Sequence, residues 1–284
     1  MLRAVRRLTV LAYHGIDDPG CFHRQLAYLA RIMRPVSLDQ VLAATRGEWT
    51  LPARAVLLTF DDGHRNLLEQ GVPLLRALRL PAVAFVVPGV LDTDQPFWWV
   101  EADHLLRHGG RTRRLQETAP ATLIARLKKA PDDERLEVLA ELRRTARRPA
   151  PRVPQLRGGE LPLLEAAGVA VGNHTMTHPC LPRCRDDKAA EEVERAHRQL
   201  TKAIGHPPRS FAYPNGDWDE RVERLLAEVG YEAAFLFDHR HNPAMPRHPL
   251  RISRLRVNST TKLDRFATIV SGLHPALHHA RGRP

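Results

Sequence analysis

Two adjacent carboxylates and a glycine, Asp61-Asp62-Gly63, end the apolar run that starts at Ala55, and two histidines four residues apart, His174 and His178, follow the run Gly168 to Gly172. Imidazoles at that spacing can converge on one ion, and a carboxylate completes a two-histidine, one-aspartate set that leaves positions open for water or substrate. Such a set is catalytic in character, because a structural site closes its fourth position with protein. The remaining carboxylate is then available to handle a proton. Each piece also has a plainer reading, since Asp-Asp-Gly is an ordinary turn former and His-x-x-x-His arises by chance. Two further runs end in residues with chemistry: Leu8 to Tyr13 leads into His14, and Pro208 to Pro214 ends in Tyr213-Pro214.

All four runs read as buried parallel strands that deliver these residues to their C-terminal edge, where β/α folds keep their sites. Neighbouring strand side chains point to opposite faces, so Asp61 and Asp62 share a site only if the strand stops there and Gly63 turns the backbone. Strands are expected over about 8–13, 55–60, 81–88, 168–172, 208–214, 231–237 and 252–257. Helical spacing of apolar residues covers about 22–33, 65–80, 160–167, 186–204, 218–229 and the stretch from Leu263 on. Ser37 is a fair N-cap for a short helix to Arg46, and Pro73 kinks or divides the 65–80 helix. The alternation predicts an α/β fold with a parallel sheet, open or closed.

One stretch breaks it. From about 92 to 157 there are two or three possible helices and no strand, and the proline-rich 149–154 returns the chain to the core. The whole of 1–284 is therefore read as one domain with a helical insertion at about 92–157 and a C-terminal helix at about 262–280. Trp98 and Trp99, at the start of the insertion, could stack on a sugar ring or simply pack the insertion down.

Composition narrows the partners. With 43 Lys and Arg against 32 Asp and Glu the net charge is +11, which favours anionic surfaces. Eleven basic and six acidic residues fall between Arg111 and Arg148, yet few aromatics accompany them, so no specific nucleic-acid role is expected while peripheral association with anionic surfaces stays open. Three cysteines argue against a disulfide framework, and Cys180 and Cys184 lack the second pair a zinc ribbon needs. The basic start, Met1 to Arg7, is followed by an apolar segment too short for a signal or a membrane span, which points to the cytoplasm. Oligomeric state leaves no mark on the sequence.

The motifs together resemble the polysaccharide deacetylases of the NodB-homology type, carbohydrate esterase family 4. Thr59-Phe60-Asp61-Asp62-Gly63 matches the first motif, Gly172-Asn173-His174-Thr175-Met176-Thr177-His178 the second, and Phe211-Ala212-Tyr213-Pro214-Asn215-Gly216 the third, in order along about 8–257. Tyr13-His14-Gly15 and Phe97-Trp98-Trp99 look like features of the exopolysaccharide and biofilm branch. The resemblance implies a distorted (β/α) TIM-like barrel of about seven strands. It also implies a divalent ion, zinc first, on Asp62, His174 and His178; Asp61 as base; and an oxyanion held by the ion and a backbone N–H near Tyr213. Substrate contacts are expected at Tyr213, Pro214 and Trp98, with an N-acetylated sugar or glycan as the partner, and the reaction is removal of the N-acetyl group. Two departures stand out: Ala212 occupies the place of the arginine that orients the base, with Arg209 a doubtful replacement, and 251–257 lacks the histidine that protonates the leaving amine. His14 is the substitute by position, ahead of His239, His241 and His274. Other readings are a deformylase or another amidase using the same site, and a weakly catalytic carbohydrate-binding protein.

Overall fold

A computed structural model of the chain describes residues 7–113 and 119–272. The chain begins with β1 (Arg7–Tyr13), α1 (Pro19–Ile32), β2 (Arg34–Pro35), α2 (Leu38–Thr45), β3 (Ala55–Phe60), α3 (Val72–Ala77) and β4 (Ala82–Val86). Three helices follow, with no strand between them among the described residues: α4 (Trp98–Arg107), α5 (Pro120–Leu127) and α6 (Asp132–Thr145). Alternation resumes with α7 (Leu161–Ala166), β5 (Val169–Asn173), α8 (Asp186–Ile204), β6 (Ser210–Ala212), α9 (Glu220–Val229) and β7 (Ala233–Phe235), then β8 (Asn242–Pro243), β9 (Leu255–Arg256) and α10 (Leu263–Ser271).

Local chemistry fixes several of these limits. Asp18 caps α1 by accepting the Cys21 N–H, with Pro19 already set for the first turn. Ser37 and Gln40 form a reciprocal capping box on α2, and Gly205 ends α8 in the left-handed region at φ 83°. The expected 65–80 helix is divided: Leu67–Gly71 is a π turn closed by Val72 N–H on the Leu67 carbonyl, running directly into α3. Pro73 has no N–H to donate back into that turn, which lets the ladder widen there.

Six strands lie parallel in the order β7-β6-β5-β4-β3-β1, with Leu8–Tyr13 in register with Ala55–Phe60. The two margins are joined by residues 252–257. Ile252 bridges Phe235 of β7 and its N–H donates to Ala234 (2.8 Å); Leu255 pairs with Leu11 of β1 and the Val257 N–H donates to Ala12 (3.1 Å). That segment supplies a seventh position and curls the sheet into a distorted barrel, as expected. β2 and β8 are short additions beside β3 and β1.

Two cores result. Leu11, Tyr13, Val56, Leu58, Phe60, Ala84 and Val86 face outward under α1, α3, α7, α8 and α10, which contribute Phe22, Leu75, Leu164, Leu200 and Phe266. Leu8, Val10, Leu57, Val83, Phe85, Ala212, Phe235 and Ile252 face inward, and α2 joins them through Leu38, Val41 and Leu42. The three helices between β4 and β5 have a core of their own, built on Trp98, Leu105, Leu123, Leu127, Val138 and Leu142. Among the described residues no helix is long and apolar enough to cross a membrane. The far end of the expected C-terminal helix, to about 280, lies outside the described residues, as does His274.

Candidate active site

The two-residue period of each strand decides what reaches the inside of the barrel. Leu8 and Val10 point inward, so His14 continues that row; Leu57 points inward, and Thr59 and Asp61 follow; Ile252 points inward, and Arg254 follows. His174 extends the inner row of β5 in the same way. Asp62 would belong to the outer row, but its own backbone enters the left-handed region at φ 71°, and Gly63 follows at φ 75°. The turn thus begins at Asp62, one residue earlier than Gly63 alone would place it. Gly63 is needed for space as well as conformation, since a Cβ there would stand 3.1 Å from a Val86 methyl group and 3.3 Å from its Cα.

Asp62, His174 and His178 converge, all nearly fully buried. Asp62 Oδ1 stands 3.6 Å from His174 Nε2 and 3.7 Å from His178 Nε2. It has no hydrogen-bond partner. Both gaps are too long for hydrogen bonds, yet ligands about 2.1 Å from a tetrahedral ion sit roughly 3.4 Å from one another. An orphaned buried carboxylate oxygen facing two imidazole nitrogens at that spacing is what a divalent ion would satisfy. His174 Nδ1 lies 2.7 Å from the Ala212 carbonyl, which fixes that nitrogen as the donor and leaves Nε2 its lone pair. Burial, then the charge of His174, pulls His178 down to about 3, so it is neutral as a ligand must be. Burial opposes ionisation of Asp62, but the hydrogen bond from His64 and the surrounding histidines outweigh it and hold the carboxyl far below its ordinary range.

The loop carrying His178 is strained and braced. Thr175 (φ 66°) and His178 (φ 58°) both adopt left-handed backbone, a cost that surrounding contacts must offset. The Thr177 hydroxyl lies 2.9 Å from Glu192 of α8 and 3.1 Å from the Arg135 guanidinium of α6. Arg135 pairs in turn with Asp132 (2.6 Å), the pair being buried. The indole N–H of Trp98 donates to the His178 carbonyl (3.2 Å).

Asp61 is 3% exposed and meets a guanidinium that the third motif does not supply. Arg254, fully buried, donates to both its oxygens, at 2.6 and 2.9 Å, and also to Thr59 and the Leu236 carbonyl. Asp238 steadies that segment by accepting from the Ser253 hydroxyl (2.8 Å). Burial alone would raise the Asp61 pKa; the charge of Arg254, with its hydrogen bonds, reverses the sign and holds it below the usual carboxylate range. The apparent loss of the orienting arginine at Ala212 is therefore corrected: the guanidinium comes from the seam of the barrel instead. Arg209 plays no part, being tied to Asp39 and Glu232 at the surface. The sequence signal was an arginine on the inner row of 252–257.

The other expected residues occupy varied positions. Tyr213 falls on the outer row of β6, is fully buried, donates to the Leu250 carbonyl, and its N–H is engaged by Phe235. Pro214 is buried at the start of a tight turn to Gly216. Trp98 is 8% exposed and packed within the insertion, so it is Trp99, half-buried, whose ring lies beside His178 at 4.8 Å and stacks on Phe97. His14, half-buried, packs edge-on to Phe237 (5.7 Å); burial lowers its pKa while Asp62 and Asp61 pull it up. His64, which sequence reasoning passed over, reaches Asp62 Oδ2 at 3.4 Å. His241 sits near Thr9, and His239 accepts from the Arg256 N–H. Burial raises Cys180 and Cys184 to about 12, which keeps these thiols protonated.

Comparison with known proteins adds an independent line. The family model for polysaccharide deacetylases matches residues 49–234. The poly-beta-1,6-N-acetyl-D-glucosamine N-deacetylase of Escherichia coli K12 is 32% identical over 95 residues, 29% of this chain and 14% of that enzyme. The chitooligosaccharide deacetylase of Bradyrhizobium sp. is 39% identical over 69 residues, 24% of this chain and 32% of that protein. The chain thus spans only a minor part of either relative. Among solved structures, the Streptococcus pyogenes deacetylase PplD in complex with acetate aligns with a TM-score of 0.66 at 16% identity, covering 93% of this chain and 98% of that one. IcaB from Ammonifex degensii aligns with a TM-score of 0.65 at 20% identity, covering 94% and 96%. At those identities the likeness is one of fold.

Proposed function

The chain belongs to the polysaccharide deacetylase family, and from that premise we propose that it is a metal-dependent carbohydrate N-deacetylase that hydrolyses the N-acetyl group of an amino sugar or glycan. The observation that carries the proposal is the orphaned Asp62 Oδ1 facing His174 and His178. Two nitrogens and one oxygen with open positions suit zinc best. When bound, such an ion acidifies a coordinated water and polarises the acyl oxygen.

The chain's own residues do the rest. Asp61 accepts the proton of the attacking water. Arg254 occupies one lone pair on each of its oxygens, which leaves another on each for that task. His14 delivers a proton to the departing nitrogen, so that acetate and a free amine leave together. The backbone turn from Pro214 to Gly216, rather than the Tyr213 N–H, is the candidate donor to the oxyanion. Trp99 offers the sugar a ring beside His178.

Acetate release from a panel of N-acetylated sugars, free, nucleotide-linked and polymeric, tests the activity. The zinc-loaded protein should release acetate, Asp62→Ala should lose the metal, and Asp61→Asn should keep the metal while turnover falls by about 100-fold or more. Silence across the panel with zinc bound would overturn the activity, and full turnover by Asp61→Asn would overturn the base.

A further inference from the structure

The described residues leave two cations at the entrance to this site without a carboxylate partner. Lys128, just past the end of α5, holds its ammonium 5.7 Å from the centre of the Trp99 ring, and Trp99 in turn borders His178. Arg256, exposed on β9, lays its guanidinium over Phe237 at 4.6 Å, and Phe237 borders His14. The third-motif turn ties the two shelves together. Asn215 donates to the Lys128 carbonyl (3.4 Å), and a Cβ at Gly216 would stand 2.5 Å from the Phe237 backbone nitrogen. One shelf therefore comes from the insertion and the other from the barrel seam, with His14 and the metal ligands between them.

Neither cation forms an ion pair with the carboxylates of the site: Asp61 is paired with Arg254, and Asp62 faces the histidines. Burial depresses the Lys128 pKa, Asp62 attracts it and Arg256 repels it, so the two cations feel each other across the opening. Holding two like charges there, one half-buried, is unfavourable unless something anionic arrives. A neutral N-acetylated sugar would need only the aromatic faces.

We propose that the substrate carries an anionic group, phosphate or carboxylate, on or next to the N-acetylated sugar, and that Lys128 and Arg256 receive it. This rests on the deacetylase reading and narrows its substrate class. Hydrogen bonds to charged groups of this kind are worth roughly a tenfold change in affinity each. The groups also act over a distance that salt shortens, from about 30 Å at 0.01 M to about 8 Å at 0.15 M ionic strength.

The test compares a neutral N-acetylglucosamine oligomer with N-acetylglucosamine 1-phosphate, a nucleoside-diphosphate N-acetylhexosamine, and an N-acetylglucosamine–glucuronate disaccharide. Binding is measured by equilibrium dialysis on metal-loaded Asp61→Asn, which does not depend on turnover, and kcat/KM on the wild type. An anionic probe should bind at least about tenfold tighter than the neutral oligomer, with the preference shrinking as salt rises. The Lys128→Met/Arg256→Met pair should bring that ratio close to one, whereas Lys128→Arg/Arg256→Lys should preserve it. The phosphate and glucuronate arms distinguish the two sources of charge. Equal binding of neutral and anionic probes, or a preference unchanged in the Met pair, would overturn the inference and leave the deacetylase reading intact. Selective binding without acetate release from any probe would do the reverse.

Discussion

A buried aspartate can work as a base only while something keeps it ionised and aimed, and for Asp61, the proposed base, Arg254 is placed to do both. Because the folded carboxyl sits below its unfolded value, its contribution to stability is present at neutral pH and is lost only as pH falls below the ordinary carboxylate range. Arg254→Met leaves that carboxylate buried and unpaired, at a cost of about 3–5 kcal/mol. Burial then sets the sign, so the acidic limb of kcat/KM should move to higher pH. Arg254→Met/Asp61→Asn should recover much of the stability without the activity, which thermal melts and pH profiles of the three variants would check. None of this was visible while the arginine was sought in the third motif. The convergence of Asp62, His174 and His178 was legible because these residue types at strand ends suffice to suggest a common site. Arg254 was not, because its role depends on which strand closes the barrel. The surroundings of Tyr213 and Trp98 were not legible either: an alternating row puts one in the outer core, and a helical core absorbs most of the other.

At the scale of elements, α6 and α8 reach the same residue. Thr177 lies directly before the ligand His178 and is gripped by Arg135 from one side and Glu192 from the other. Outer contacts of this kind tune metal sites by about 10–100-fold in affinity. Thr177→Val removes the hydroxyl while keeping the shape, and should weaken zinc binding by about tenfold with little change in melting temperature of the metal-free protein. Competition with a chromophoric chelator gives the affinity, and the absorption spectrum of the cobalt-substituted protein reports any change in ligand geometry. Unchanged affinity and spectrum would mean that the clamp serves the insertion alone. The helices themselves were readable from apolar spacing and caps, with α8 found at Asp186–Ile204 as expected. The π turn before Pro73 was not, since periodicity marks a helical face but not how many residues each turn holds.

For the molecule as a whole, the three proposed ligands come from two segments far apart in the chain, the turn after β3 and the loop after β5, so metal binding and folding should be coupled. Each tenfold of free zinc above its dissociation constant adds about 1.4 kcal/mol to the folded state. Chelation should therefore lower the melting temperature, zinc should restore it, and Asp62→Ala should show neither response. The βα order was legible because buried parallel strands are uninterrupted apolar runs; closure followed only from the family resemblance, because the seam is two residues of β9 and a single bridge at Ile252. The family match over 49–234 contains the three ligands and Asp61, but neither His14 nor Arg254. Those two arrive with the first strand and with the last segment to pair. A ribosome that has released only the first 250 residues has already produced Asp61, Asp62, His174 and His178, yet not the guanidinium that pairs with Asp61. On the proposed reading, the base acquires its counter-charge only when the barrel's final seam is drawn shut.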